Sequence, residues 1–101
     1  MDISGLMNVN PILVDRVRLS IMVYLSASDS PVLFNALIEE LNLTKGNLSS
    51  HIKKLEGANF IKVTKKFSDR RPQTTYELTK EGTQELRSYL LAVEATLKNA
   101  L

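Results

Sequence analysis

Cysteine is absent from this sequence. That excludes a disulfide framework, a thiol redox switch and a thiolate metal site. Histidine is almost as scarce. His51 stands alone, with no second histidine and no cysteine to complete a ligand set, so no metal centre is expected. Long apolar runs are missing too: the richest, residues 21–25, is far short of the roughly 18 uninterrupted apolar residues of a membrane span. Residues 1–10 carry neither the basic start nor the apolar block of a signal peptide. These absences predict a cytoplasmic protein without a membrane partner. Nor can a nucleophile–base pair, a carboxylate dyad, a phosphate loop or a metal cluster be assembled from the residues available. No enzymatic activity and no cofactor are expected.

What is present is ordinary in bulk and uneven in arrangement. At 101 residues and 44% apolar content, the chain reads as one domain, long enough for a core and too short for two. The net charge is only +2. Yet residues 45–71 hold eight basic side chains (Lys45, Lys53, Lys54, Lys62, Lys65, Lys66, Arg70, Arg71) against two acids, Glu56 and Asp69, a local balance of +6. The remainder holds five basic and nine acidic residues, a balance of −4. One strongly basic third in a near-neutral chain is the electrostatic footprint of a nucleic-acid surface.

At the centre of that third lies LTKGNLSSHIKKLEGAN, residues 43–59. Read as a helix, it opens on Thr44, whose hydroxyl can accept a first-turn N–H, and closes near Asn59, which tolerates the left-handed conformation. At about 100° per residue, Leu48, Ile52 and Leu55 share one face. Opposite them lie Gly46, Ser50 and Lys53, flanked by Asn47, Ser49 and Lys54. That face has no acid and no large apolar side chain. A solvated helix usually mixes Glu with Lys, so this one is suited to approach something negative.

The rest of the chain frames this helix. Residues 1–10 read as a loose lead-in, and Pro11 suits a first helical turn. Leu13, Val14, Val17, Ile21, Tyr24 and Leu25 recur at helical spacing and predict a helix over 12–27. Ile12, Leu19, Met22 and Val23 add apolar surface outside that stripe, which in so small a chain calls for a partner subunit. A turn-rich break at 26–31 follows, with a short strand at Pro31-Val32. Leu33, Phe34, Leu37, Ile38 and Leu41 then stripe a brief helix over 33–41. Its tight connection through Asn42-Leu43 makes 33–59 a helix-turn-helix.

From Phe60 the period changes to two. Ile61 and Val63 alternate with Lys62, Thr64 and Lys66, and 74–78 alternates again across turn-forming residues 68–73, predicting a hairpin over 60–78 with Arg70 and Arg71 at its tip. Pro72 fits where no ladder hydrogen bond is needed. A last helix, 79–101, begins at Thr79 and tolerates Gly82 as an awkward interior residue. Leu86, Leu90, Val93 and Leu97 alternate by four and three, a short heptad seam that wants a partner helix. Two heptads are marginal alone, so the last helix should also pack on the first. The predicted fold is mainly α with a small β-hairpin: a winged helix-turn-helix with an N-terminal helix and a C-terminal dimerisation helix.

The segments TKGNLSSHIKKLEGA, IKVTKKF and RRPQTTYELTKEG, with RVRLSIMVYL and FNALIEEL before them, resemble a winged-helix DNA-binding domain family of small prokaryotic transcriptional regulators related to the MarR and ArsR groups. The likeness covers roughly residues 14–90. It implies a homodimeric regulator paired through its first and last helices, with a recognition helix at 44–58 and a wing at 65–74. Two departures stand out: Asn59 where members often carry Gly, and Ser50 where many carry Arg. MarR-like relatives often bind small-molecule effectors, and no residue pattern marks a pocket for one here.

Only the major groove of B-form DNA admits a helix and shows an unambiguous base pattern. Gly46, Ser49 and Ser50 would let the backbone lie close to its floor. Asn47 could pair with adenine or serve the helix end, and Lys45 or Lys53 could donate to guanine or phosphate. Lys54 and the helix N-terminus at Thr44 would hold phosphates. Arg70 and Arg71 would reach the adjacent minor groove, with Asp69 bracing one of them. Lys65 and Lys66 lie on opposite strand faces, so one of them faces DNA, and Lys65 is the candidate. His51 is expected to pack beside the core face, a phosphate contact being the alternative. Tyr24, Phe34, Phe60, Phe67 and Tyr76 suit core or wing packing better than stacking on bases. The expected dimer surface joins Leu13, Val17 and Ile21 to Leu86, Leu90, Val93 and Leu97. A winged helix serving protein–protein assembly is the competing function, and it leaves the +6 segment unexplained.

Overall fold

The computed structural model describes residues 3–101, so Met1 and Asp2 of the expected lead-in lie outside the described residues. In chain order the elements are α1 (Ser4–Met7), a 3-10 turn (Pro11–Leu13), α2 (Arg16–Ser26), β1 (Val32–Leu33), α3 (Phe34–Leu41), α4 (Lys45–Gly57), β2 (Ile61–Ser68), β3 (Arg71–Leu78) and α5 (Lys80–Ala100). The fold is mostly helical with a small antiparallel sheet. β3 lies between β1 and β2, in the register Val32↔Tyr76 and Val63↔Tyr76.

One core serves all of these elements except α1, which has no buried residue. Leu48, Ile52 and Leu55 bring the predicted apolar face of α4 into it, beside Ile21, Met22 and Leu25 of α2, Leu37 of α3, Ile61, Tyr76 and Leu86. Phe34 and Tyr76 meet as tilted rings 6.3 Å apart, and burial raises the Tyr76 hydroxyl's pKa. A compact chain of this length has a radius of gyration of about 13 Å. Here it is 15.1 Å, with extents of 57 × 25 × 23 Å. The elongation is accounted for by α5, which outruns the core, and by the β2–β3 hairpin.

Three expectations are corrected at this level. Residues 4–7 of the lead-in form a helical turn packed on α5, where a Cβ at Gly5 would meet the Ala92 Cβ at 3.7 Å. The single helix over 12–27 is instead a 3-10 turn and then α2. Asp15 interrupts it: its carboxylate accepts from the N–H groups of Val17 (2.8 Å) and Arg18 (3.0 Å), a better use of a short acid than a helix interior. Gly82, read as an awkward helical glycine, is required. A Cβ there would fall on the Phe60 carbonyl, within 2.8 Å of its carbon.

The Asp15 cap gives a testable pH dependence. The Arg18 N–H, aided by that of Val17 and by the charge of the Arg18 guanidinium, holds the carboxyl below its usual value. A pKa lower in the folded state stabilises the fold above the unfolded-state pKa of about 3.9, and that stabilisation is lost as pH falls through the folded-state pKa. Asp15→Ala is therefore expected to cost about 1 kcal/mol at neutral pH. Urea titrations should show the gap to wild type narrowing below about pH 4.

Candidate nucleic-acid interface

Thr44 caps α4 as its position demands: its side-chain oxygen accepts the Asn47 N–H at 3.1 Å. The preceding helix α3 ends on Asn42 with φ 52°, a left-handed residue that turns the chain within three positions. At the far end of α4, the Phe60 N–H donates to Leu55 O (3.0 Å) and the Asn59 N–H to Glu56 O (2.9 Å), with Asn59 at φ 62°. This is a Schellman closure. Asn59 in place of glycine also has a use: its Nδ2 donates to Glu81 Oε2 at 3.0 Å, and its carbonyl accepts from Thr79 Oγ1 at 2.6 Å. The end of α4 is thereby tied to the start of α5.

His51 sits at the junction with α2. It is half-buried, but it is held by polar contacts and not by apolar packing alone. Arg18 Nη1 donates to His51 Nδ1 at 3.1 Å, and Asp15 Oδ1 lies 3.8 Å from the same nitrogen. Arg18 also donates through Nε to Ile12 O at 2.7 Å. A guanidinium can only donate, so Nδ1 accepts and the ring proton sits on Nε2. The pattern Asp15–Arg18–His51 thus fixes the α4 azimuth against α2, a link that spans 33 residues and has no periodic signal in the sequence.

All the candidate DNA-contacting residues are exposed: Thr44 at the N-cap of α4, Lys45, Gly46, Asn47, Ser49, Ser50, Lys53 and Lys54 on it, Lys65 on β2, Arg70 in the turn and Arg71 at the start of β3. Among the described residues, Lys45, Lys53, Lys54, Lys65, Arg70 and Arg71 have no carboxylate within ion-pair distance; the cross-strand pair is Lys62 with Glu77. Asp69 braces neither arginine. Its role is conformational, because Asp69 (φ 51°) and Arg70 (φ 65°) are both left-handed, as in a type I′ hairpin turn.

The turn is therefore two residues, not the six of 68–73. Arg70 alone occupies the tip with Asp69, while Arg71 pairs with Ser68 inside the ladder. Pro72 faces Phe67, and β1 pairs only as far as Thr75, so the missing N–H of Pro72 falls on an open edge. Lys65 lines a groove of about 590 Å³ between β3 and the start of α3, with Phe34, Asn35 and Thr74. Phe67, expected to pack, is 78% exposed.

The expected dimer surface is also only partly available. Leu13 and Ile21 are fully buried and Leu86 is 4% exposed, so these three belong to the domain's own core and cannot meet a partner. Val17 is half-buried. Leu90, Val93 and Leu97 remain open, joined by Leu91 on α5 and Val23 on α2.

Known proteins share this fold. A winged helix DNA-binding domain family model matches residues 17–97. An uncharacterized protein of Methanocaldococcus jannaschii is 38% identical over 66 residues, covering 65% of this chain and 72% of its own. The solved structure of a transcriptional regulator homologue protein from Pyrococcus horikoshii superposes with a TM-score of 0.88 at 33% identity, covering 99% of this chain and 98% of that one. A MarR-like transcription regulator from Bacillus cereus shares the fold, with a TM-score of 0.67 at 22% identity over 82% of this chain and 58% of its own. With a capped helix-turn-helix, a type I′ wing and a family match spanning most of its length, the chain belongs to the winged helix DNA-binding domain family.

Proposed function

We propose that this protein is a homodimeric transcriptional regulator of the cytoplasm that reads a palindromic operator, with α4 in the major groove and the wing in the minor groove. The carrying observation is the exposed, acid-free face of α4 together with wing cations that no carboxylate among the described residues neutralises. An unpaired cationic surface of this kind is stabilised by releasing the counterions of a polyanion. Lys53 and Lys54 then position the helix on phosphates, while Asn47 and Lys45 reach base edges near its N-terminus. Two such helices related by a two-fold axis call for half-sites about 34 Å apart.

Arg70 supports the same reading. The second central residue of a type I′ turn favours glycine, and a side chain there costs about 1 kcal/mol. The expected result is that Arg70→Gly stabilises the hairpin by about that amount while weakening DNA binding. The test is a titration of labelled duplex DNA at several salt concentrations. The logarithm of the affinity should fall steeply with the logarithm of salt, and Lys53→Ala or Arg70→Gly should each lower that slope by about one. Failure to bind any duplex at low salt would overturn this function and favour the protein–protein assembly module.

A further inference from the structure

Phe67 is the one exposed aromatic side chain among the described residues. It points to the same face of the sheet as Ile61 and Val63, but the core ends before it. Ile61 is buried and Val63 half-buried, whereas Phe67 lies four residues further along β2, about 13 Å out. Directly across the ladder stands Pro72, also exposed. The Phe67–Pro72 pair is next to the Ser68–Arg71 pair that closes the turn, so it is the non-hydrogen-bonded kind in which side chains approach most closely. A two-residue turn with both residues left-handed and a fixed proline ring hold this apolar pair on a stiff support.

Its surroundings are cationic. Lys65, Lys66, Arg70 and Arg71 are all exposed around it, with Asp69 the sole acid of the tip. A second copy of the wing would bring two such clusters together, which like-charge repulsion opposes. A polyanion with an apolar interior is complementary on both counts. From this we infer that Phe67 and Pro72 form a wedge that enters the minor groove of duplex DNA and partly unstacks a base step, while the flanking cations hold the phosphates on either side. The inference rests on the DNA-binding reading above and adds to it a mode of recognition: the protein would select sites by how readily a step opens, independently of any base that α4 contacts.

The experiment compares binding of the intact protein to two duplexes of about 20 base pairs, A/T-rich and identical except for one central T·T mismatch, across a salt series. Unstacking a step costs a few kcal/mol, so a wedge should prefer the weakened duplex by roughly tenfold. Phe67→Ala should erase that preference and keep the salt slope, and Phe67→Leu, still apolar, should retain part of it. Equal preference in wild type and Phe67→Ala would overturn the wedge while leaving DNA binding intact. So would a change confined to the oligomer mass of Phe67→Ala. No binding of either duplex at low salt would overturn the DNA-binding reading itself. Because the Phe67 side chain leaves the core untouched, circular dichroism of each variant should match wild type.

Discussion

Gly82→Ala is expected to destabilise the domain by more than about 3 kcal/mol, the upper range of overpacking penalties. The usual sign is the opposite: alanine in a helix is favoured over glycine by about 1 kcal/mol. Here a methyl group would meet the Phe60 carbonyl oxygen, with the carbonyl carbon at 2.8 Å and the Phe60 Cα at 3.0 Å. These are backbone atoms and cannot rotate away. That backbone is pinned as well, since the Phe60 carbonyl accepts the Thr79 N–H at 3.0 Å and the Phe60 N–H closes α4 on Leu55. Relief requires α5 to lift, and lifting it breaks the Thr79–Asn59 bond (2.6 Å) and the Asn59–Glu81 bond (3.0 Å) that tie it to the end of α4.

For a domain of this size the loss amounts to a fall in Tm of roughly 12 °C or more. Gly57→Ala is the control. Its Cβ would meet nothing within 4 Å, so that variant should be neutral or more stable by a few tenths of a kcal/mol. Thermal unfolding of the pair tests the claim, and equal melting temperatures would remove it.

Leu90→Glu combined with Leu97→Glu is expected to convert the proposed dimer to monomer and to lower operator affinity by 100-fold or more, on the order of the avidity lost when two linked sites become one. The physical reason is the open seam on α5. Leu90, Leu91, Val93 and Leu97 are 39–53% exposed on a helix whose second half outruns the core. A short heptad seam left bare is stabilised by a second helix, and two carboxylates on it would oppose that pairing. Since both leucines are already exposed, the monomer should stay folded, with helicity near that of wild type. Sedimentation and DNA titration together decide. A double variant that stays dimeric would place the interface elsewhere, and a wild-type protein that sediments as a monomer would remove the dimer. Leu86 offers no such test, because it is buried and its replacement would damage the core.

Local chemistry determined most of the architecture. Period 3.6 at Leu48, Ile52 and Leu55, period two at Ile61 and Val63, and capping residues at Thr44 and Thr79 each act over a few positions, so each element could be placed from nearby residues alone. The composition of the α4 face and the +6 segment are equally local, and the candidate DNA-contacting residues all reach the surface as their spacing requires. Tertiary structure decided what depends on distant partners. Gly82 is required because α5 crosses the end of α4, a contact between segments more than 20 residues apart. His51 is a polar anchor because Arg18 comes to it from α2. Leu13, Ile21 and Leu86 fit a dimer stripe by periodicity, but periodicity marks an apolar face without saying what covers it. Only packing distinguished them, buried in their own core, from Leu90, Val93 and Leu97, which that core is too short to reach.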